Sequence, residues 1–238
     1  MLRVTILLAS LWPALSLSAV QILTTRVILN QSEKEQTFLI RNTGEKPSLL
    51  QIWLSDKDNE GMTISDDIPL VITPPVARIN PDKNKVFRIF PAAEAAALLP
   101  QDRESMFWIN ALDAPAMDSE AEKGNRLNIA FRTRIKAFYR PTGLAGSLIE
   151  AGEKLQWTVQ KNATDITYTV KNASPYHISF AKLFLSDNNK EIATLPGDMV
   201  EPYTVKNFQF KNIKSGAVTL NYQYITDLGA YVDKKLVL

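Results

Sequence analysis

The sequence predicts an all-β protein built from two antiparallel β-sandwich domains. Short apolar segments of about six residues alternate with polar turns, at the 8–12-residue spacing that is typical of sandwich strands. Of the 238 residues, 45% are hydrophobic, which is enough to bury a core. The length suits one large domain or two domains of about 100–120 residues each. The only helix that the pattern predicts lies at 92–98, ahead of Pro100.

The first block of the chain contains several segments with strand character, and the longest of them is Leu127–Tyr139. The others are 36–41, 49–54, 85–90 and 106–110. Within the longest segment, a two-residue period puts one set of side chains on a single face: Leu127, Ile129, Phe131, Thr133 and Ile135. This segment is either an ordinary strand with one buried face or an edge strand that leaves apolar residues open to a partner chain. Periodicity alone favours the ordinary strand.

A second block of strands follows the turn Arg140–Gly143, whose proline and glycine interrupt the alternation. Its predicted strands are 155–159, 166–170, 178–181, 208–210 and 218–222. We therefore predict two domains, at residues 19–141 and 142–238.

Residues 1–18 have the composition of a secretory signal peptide. A short positive start ending at Arg3 precedes an apolar segment that is too short for a comfortable membrane span. Ser16 and Ser18 stand at the −3 and −1 positions of a cleavage before Ala19. We expect an exported protein that is not inserted in a membrane.

The composition argues against most enzyme classes and against nucleic-acid binding. The formal net charge is only +2, so there is no large basic excess. The chain has no cysteine and one histidine, His177, and it carries neither a Walker loop nor a dinucleotide-binding glycine pattern. His177 and the Asp66–Asp67 pair are better explained as a structural histidine and a solvated turn. We expect no catalytic residue, no bound metal and no cofactor.

The segment 99–110, with its Pro-x-Asp-Arg-Glu-Ser start at Pro100 and its aromatic-x-Asn strand, is the most specific motif. It resembles the signature of the periplasmic pilus-assembly chaperones of the chaperone–usher pathway, although Ala111 and Ala114 replace the larger aliphatic residues expected there. Further segments agree with that family: 24–28, 73–78, 135–141, 172–176 and 224–229. The resemblance extends over essentially the whole chain after residue 18.

The resemblance implies two immunoglobulin-like domains set at an angle, with a cleft between them. In the cleft, Arg26 and Lys136 would bind the terminal carboxylate of a pilin subunit. The implied donor strand carries Leu127, Ile129 and Phe131, which would fill an apolar groove in the subunit. Arg132 and Arg134, on the opposite face, would keep the free edge soluble. The implied interdomain ion network consists of Glu104, Arg140 and Asp227.

The resemblance also implies partners and a location. We expect a periplasmic chaperone that binds fimbrial (pilin) subunits and an outer-membrane usher, with a self-capping dimer as a possible free state. The short connection between Leu112 and Arg126 and the absence of cysteine resemble the short-loop branch of the family. The alternatives are a secreted two-domain adhesion module and, more remotely, an exported hydrolase. An adhesion module has no need of paired cations beside an apolar edge strand.

Overall fold

The computed structural model describes residues 20–56, 68–92, 95–115, 129–213 and 218–236, and these form two β-sandwiches. The first hydrophobic core takes its buried residues from between Val20 and Tyr139, and the second from between Leu148 and Tyr224. The prediction of an all-β chain with two sandwiches is therefore confirmed. The domain boundary next to Pro141 stays a prediction.

The described part of the first domain contains nine strands. They are β1 (Val20–Ile22), β2 (Arg26–Asn30), β3 (Gln36–Asn42), β4 (Ser48–Asp56), β5 (Leu70–Thr73), β6 (Val76–Ile79), β7 (Asn84–Pro91), β8 (Ser105–Pro115) and β9 (Phe131–Arg140). One sheet has the order β1-β3-β7-β5 and the other the order β2-β9-β8-β4-β6. The chain thus changes sheets between β1 and β2, and this brings β2 beside β9.

The described part of the second domain contains eight strands. They are β10 (Gln156–Lys161), β11 (Ile166–Lys171), β12 (Ile178–Asp187), β13 (Lys190–Pro196), β14 (Met199–Val200), β15 (Val205–Phe210), β16 (Thr219–Ile225) and β17 (Tyr231–Leu236). A three-stranded sheet, β10-β11-β15, packs against the sheet β13-β12-β16-β17, in which β14 pairs with β12.

Two short helices occur in the described residues, whereas the sequence predicted only one. A 3-10 helix spans Ala95–Leu98, inside the predicted segment, and the α-helix α1 spans Leu148–Glu153. Expecting no helix at α1 was wrong. The signal was present, because Ser147 followed three residues later by Glu150 is a capping box, and the Ser147 hydroxyl accepts a hydrogen bond from the Glu150 backbone N–H at 3.2 Å.

Each domain has a fully buried asparagine just after, or at the end of, a strand that runs across its core. Asn172 donates from Nδ2 to the backbone oxygens of Tyr176 and Glu201 at 2.7 and 2.9 Å, and its Oδ1 accepts from the Ser174 N–H. Asn42 makes the equivalent set of bonds in the first domain. Each amide therefore satisfies backbone groups that would otherwise be unpaired at the end of the strand.

We expect Asn172→Ala to lower the free energy of unfolding by about 2–3 kcal/mol, because one buried and one partly buried carbonyl lose their donor. Urea denaturation measures the change. Asn162→Ala is the matched control, since Asn162 is exposed, and it should change stability by less than about 0.5 kcal/mol. Equal effects of the two variants would contradict this account of the buried amide.

Candidate functional site

Strand pairing places Arg26 beside Lys136. Strand β2 runs parallel to β9, and Arg26 and Lys136 are register partners at the start of this pairing. Val27 and Leu29 point into the first core, so alternation turns Arg26 to the opposite face of the sheet. Arg26 is nevertheless only 5% exposed, because the second domain covers that face.

Arg26 is a buried cation with incomplete hydrogen bonding. Its Nη1 donates to the backbone oxygen of Ile225 in the second domain at 3.2 Å, and its Cζ lies 5.8 Å from the ring centroid of Phe138. Its Nε is buried without a partner among the described residues. Burial lowers the pKa of Arg26, and the negative charges of Asp227 and Glu104 oppose that shift.

Lys136 lies in the same cleft and also contacts the second domain. Its Nζ donates to the Ser179 hydroxyl at 3.1 Å. Burial, followed by the positive charges of Arg26 and Lys206, lowers the pKa of Lys136 to about 8, while Asp198 acts in the opposite direction. Neither Arg26 nor Lys136 forms a salt bridge within the described part of the chain. The cleft thus holds a buried cation, Arg26, beside a partly buried one, Lys136, and this environment favours an added anion.

An ion network joins the two domains beside these cations. Arg140 donates to Glu104 at 2.7 Å and binds both carboxylate oxygens of Asp227 at 2.8 Å. The Glu104 carboxylate is 1% exposed and also accepts from the backbone N–H of His177 at 2.7 Å. Burial by itself lowers the pKa of Arg140, but the bonds to Asp227 and the charge of Glu104 raise it above its ordinary value. The three residues predicted for this network do lie together.

The N-terminal half of β9 has an open edge. Strand β8 pairs with β9 from Phe131 to Tyr139, whereas β2 covers only Lys136 to Arg140 on the other side. Among the described strands, β2 is the one beside that second side, and it begins to pair at Lys136. Phe131 and the preceding Ile129 are each 53% exposed. Strand β9 is therefore a central strand at its C-terminal end and an edge strand at its N-terminal end.

The expected strand and the described one differ in extent. Ile129 lies outside β9, which begins at Phe131, where the pairing with Asp113 of β8 also ends. The predicted alternation holds within β9, since Ile135, Ala137 and Tyr139 belong to the first core. Leu127, the third predicted donor residue, lies outside the described residues.

Arg134 has a more specific contact than the solubility role expected for it. Its guanidinium Cζ lies 4.4 Å from the ring centroid of Trp108 on β8, so the side chain is packed instead of being free in solvent. The register of β8 and β9 makes Trp108 the partner of Lys136, two residues along. The sequence gives no signal for this contact without the pairing of β8 with β9.

The second domain supplies three contacts to the cleft that sequence reasoning missed. His177, Ser179 and Ile225 contact Glu104, Lys136 and Arg26 through the interdomain packing. No local pattern predicts such contacts.

The predicted signal peptide, the Asp66–Asp67 pair and most of the connection between Leu112 and Arg126 lie outside the described residues. No group of potential metal ligands occurs in the described part of the chain, and no helix there is long and apolar enough to cross a membrane.

The fold and the cleft define a two-domain immunoglobulin-like protein with a cationic interdomain site next to an open strand edge. Residues 19–145 match the family described as "Pili and flagellar-assembly chaperone, PapD N-terminal domain". Residues 150–236 match "Pili assembly chaperone PapD, C-terminal domain". The chain therefore belongs to the PapD family of pilus-assembly chaperones, as its resemblance to that family indicated.

Relatives and solved structures agree with this family. The chain is 35% identical over 224 residues to the chaperone protein FimB/FhaD of Bordetella pertussis, covering 94% of this chain and 89% of the relative. It is 32% identical over 222 residues to the probable fimbrial chaperone YadV of Escherichia coli K12, covering 92% and 89%. The crystal structure of a YadV chaperone has a TM-score of 0.74 at 30% identity, covering 93% of this chain and all of that chain. The periplasmic chaperone SfaE gives a TM-score of 0.70 at 30% identity, covering 92% and 100%.

Proposed function

We propose that this chaperone captures pilin subunits in the periplasm by lending them a strand, and delivers them to an outer-membrane usher. It does so without enzymatic activity and without a cofactor. In this proposal, Arg26 and Lys136 bind the C-terminal carboxylate of the subunit. The observation that carries the proposal is a buried and a partly buried cation, neither in a salt bridge within the described residues, on paired strands that lead into an open edge.

A carboxylate suits this pair of cations for a physical reason. Burying two like charges side by side is unfavourable, and an anion between them forms charge-assisted hydrogen bonds that relieve the repulsion. The Nε of Arg26 has no partner in the described residues, and Lys136 uses one of its three donors on Ser179. The two side chains therefore have donors left for both oxygens of a carboxylate.

The open edge supports the second half of the proposal. Residues 131–135 offer backbone groups to a strand of the subunit, and main-chain hydrogen bonds would set the alignment. Ile129 and Phe131 would move their exposed surface into the subunit groove. Complete burial of one such side chain contributes about 1.5–3 kcal/mol, so the half still exposed contributes roughly 1 kcal/mol each. Leu127 is proposed as the third donor residue, and the same edge is the surface that a self-capping dimer would use.

Export by a cleavable signal peptide belongs to the same proposal. We infer cleavage between Ser18 and Ala19, which would leave β1 at the start of the mature protein. N-terminal sequencing of the protein recovered from the periplasm should therefore begin at Ala19. A protein that retains residues 1–18 would contradict this inference.

The cation site is tested by co-purification of subunits with the tagged chaperone from the periplasm, read by mass spectrometry. Lys136→Ala and Arg26→Ala should each lower the amount of captured subunit by at least about 30-fold, because truncating one partner of a buried charge pair costs 2–5 kcal/mol or more. Lys85→Ala, at an exposed lysine on β7, is the control and should capture normally. Normal capture by both cleft variants would refute the carboxylate anchor.

The donor edge is tested by Ile129→Asp, which would place a charge in the apolar groove and weaken subunit affinity roughly tenfold or more. Val86→Asp is a closely matched control, because Val86 is 51% exposed and lies on the other sheet. Titration against purified subunit measures both variants. If they bind equally well, this edge takes no part in capture and the adhesion-module alternative becomes the better explanation.

A further inference from the structure

The ammonium group of Lys136 is contacted from both domains. On its own sheet, Trp108 is its register partner, and Lys136 Nζ lies 5.7 Å from the Trp108 ring centroid. From the second domain, the hydroxyl of Ser179 on β12 accepts a hydrogen bond from it at 3.1 Å, and Ser179 is only 1% exposed. These contacts restrict a side chain that is otherwise among the most flexible in proteins.

Trp108 also contacts a second cation of the same strand. Arg134 lies two residues before Lys136, on the same face of β9, and its Cζ is 4.4 Å from the ring centroid of Trp108. The Nε of Arg134 is buried without a hydrogen-bond partner in the described residues. The contact with the Trp108 ring therefore helps to hold the Arg134 guanidinium in place. The same indole contacts both Arg134 and Lys136.

We propose that Trp108 and Ser179 are positioning residues that hold the Lys136 ammonium in place for an incoming carboxylate. Both groups attract a cation without neutralising it, since one offers the negative face of a π-system and the other a hydroxyl oxygen. A carboxylate in either position would compete with the ligand for Lys136. A neutral holder leaves the full positive charge available to bind an anion. This inference rests on the proposed function for the role of Lys136.

The two positioning residues, Trp108 and Ser179, lie in different domains, so the geometry around Lys136 depends on how the domains are arranged. Trp108 is fixed by the pairing of β8 with β9, whereas Ser179 reaches Lys136 only when the second domain is docked. The Glu104–Arg140–Asp227 network would thus act on subunit binding partly through Ser179. Loss of Ser179 should mimic part of the effect of loosening the domains, with the network itself intact.

The first test uses the free chaperone, so that it does not depend on subunit binding. The titration of Lys136 is followed by NMR of its side chain in the full protein, with Lys136→Met used to assign the signal. The charged groups that act on Lys136 are Arg26 on β2, Lys206 on β15 and Asp198 before β14, and they are unchanged in all variants.

We expect Trp108→Leu and Ser179→Ala each to move the Lys136 titration to lower pH by about 0.5–1 unit, since each removes a contact that favours the charged form. Trp108→Phe keeps an aromatic face and should restore most of the wild-type value. An unchanged titration in both Trp108→Leu and Ser179→Ala would overturn the inference. If Trp108→Leu does not fold, Ser179→Ala decides the question, and an unchanged titration in that variant would overturn the inference.

The second test measures affinity for purified subunit. Trp108→Leu should weaken binding about 3–10-fold in the wild-type chaperone and should have no further effect when Lys136→Met is already present. An equal loss in both backgrounds would mean that Trp108 acts independently of Lys136 and would overturn the inference. By contrast, a Lys136→Met chaperone that binds normally would refute the proposed carboxylate anchor, and the NMR titration would still show whether Trp108 and Ser179 hold Lys136.

Discussion

Replacing Arg140 by methionine is expected to lower the free energy of unfolding by about 3–5 kcal/mol. The variant leaves Glu104, whose side chain is 1% exposed, without its cationic partner. Removing one member of a buried ion pair is strongly destabilising because the remaining charge stays desolvated. Urea denaturation measures the change. Subunit capture by the folded fraction should also fall, because the network fixes the position of the second domain beside the cleft.

The matched control for this prediction is Arg88→Met. Arg88 pairs with Glu35 at 3.4 Å, but both side chains are about half exposed, and such surface pairs contribute about 0–1 kcal/mol. Asp227→Asn should give an intermediate loss, since the Asp227 side chain is 34% exposed and its partner keeps Glu104. A loss for Arg140→Met no larger than that for Arg88→Met would show that the network does not hold the two domains together.

Subunit affinity is expected to fall roughly tenfold between pH 7 and pH 9. The pKa of Lys136 in the free chaperone is about 8, and a bound carboxylate would raise it by stabilising the charged form. The complex therefore holds one more proton than the separate partners do above pH 8, and binding weakens as that proton becomes scarce. Titration of wild-type chaperone with subunit across this range measures the effect. Lys136→Arg is the control, because a guanidinium stays protonated, and a parallel decline in that variant would assign the effect to another group.

The stability of the free chaperone should change in the opposite direction. The folded-state pKa of Lys136 lies below its ordinary value of 10.5, so the unfolded chain binds more protons between about pH 8 and pH 10.5. Lys136 therefore destabilises the fold most at pH values below 8, and this penalty disappears as the pH rises through that window. Lys136→Met should stabilise the free protein at pH 7 while it weakens capture, which is the trade-off expected at a binding site.

The sequence was sufficient for the elements whose signal is local. Alternation located most of the long strands, and the signature at 99–110 located Glu104. Alternation did not reveal two shorter elements. Strand β14 has only two residues, and α1 depends on a capping box at Ser147, which is not a periodic pattern. The two halves of β9 have similar alternation, yet one is central and the other is an edge. The difference depends on how far β2 extends, which is set by a strand more than 100 residues away.

The cleft also combines features that the sequence predicts with features that only the packing between domains creates. Arg26 and Lys136 were predicted through a family resemblance, but the second domain adds to the burial of both and so to the lowering of the pKa of Lys136. Ser179 and Ile225 contact Lys136 and Arg26 only after the two sandwiches have docked. No one-dimensional pattern contains that information, because it is a property of the packing between domains.

Strand β2 pairs with only the C-terminal half of β9, and this sets the distance between Lys136 and the exposed apolar residues. The pairing begins at Lys136, and Phe131 and Ile129 lie five and seven residues before it. If Lys136 binds the subunit carboxylate as proposed, it fixes where the subunit strand ends. At about 3.3 Å per residue of extended chain, the backbone of these two residues would lie roughly 17 and 23 Å from that of Lys136. A subunit strand that ends one residue earlier or later would be shifted in register by one residue. Its opposite face would then lie against Phe131 and Ile129. Recognition would thus depend on the length of the subunit strand as well as on its apolar side chains.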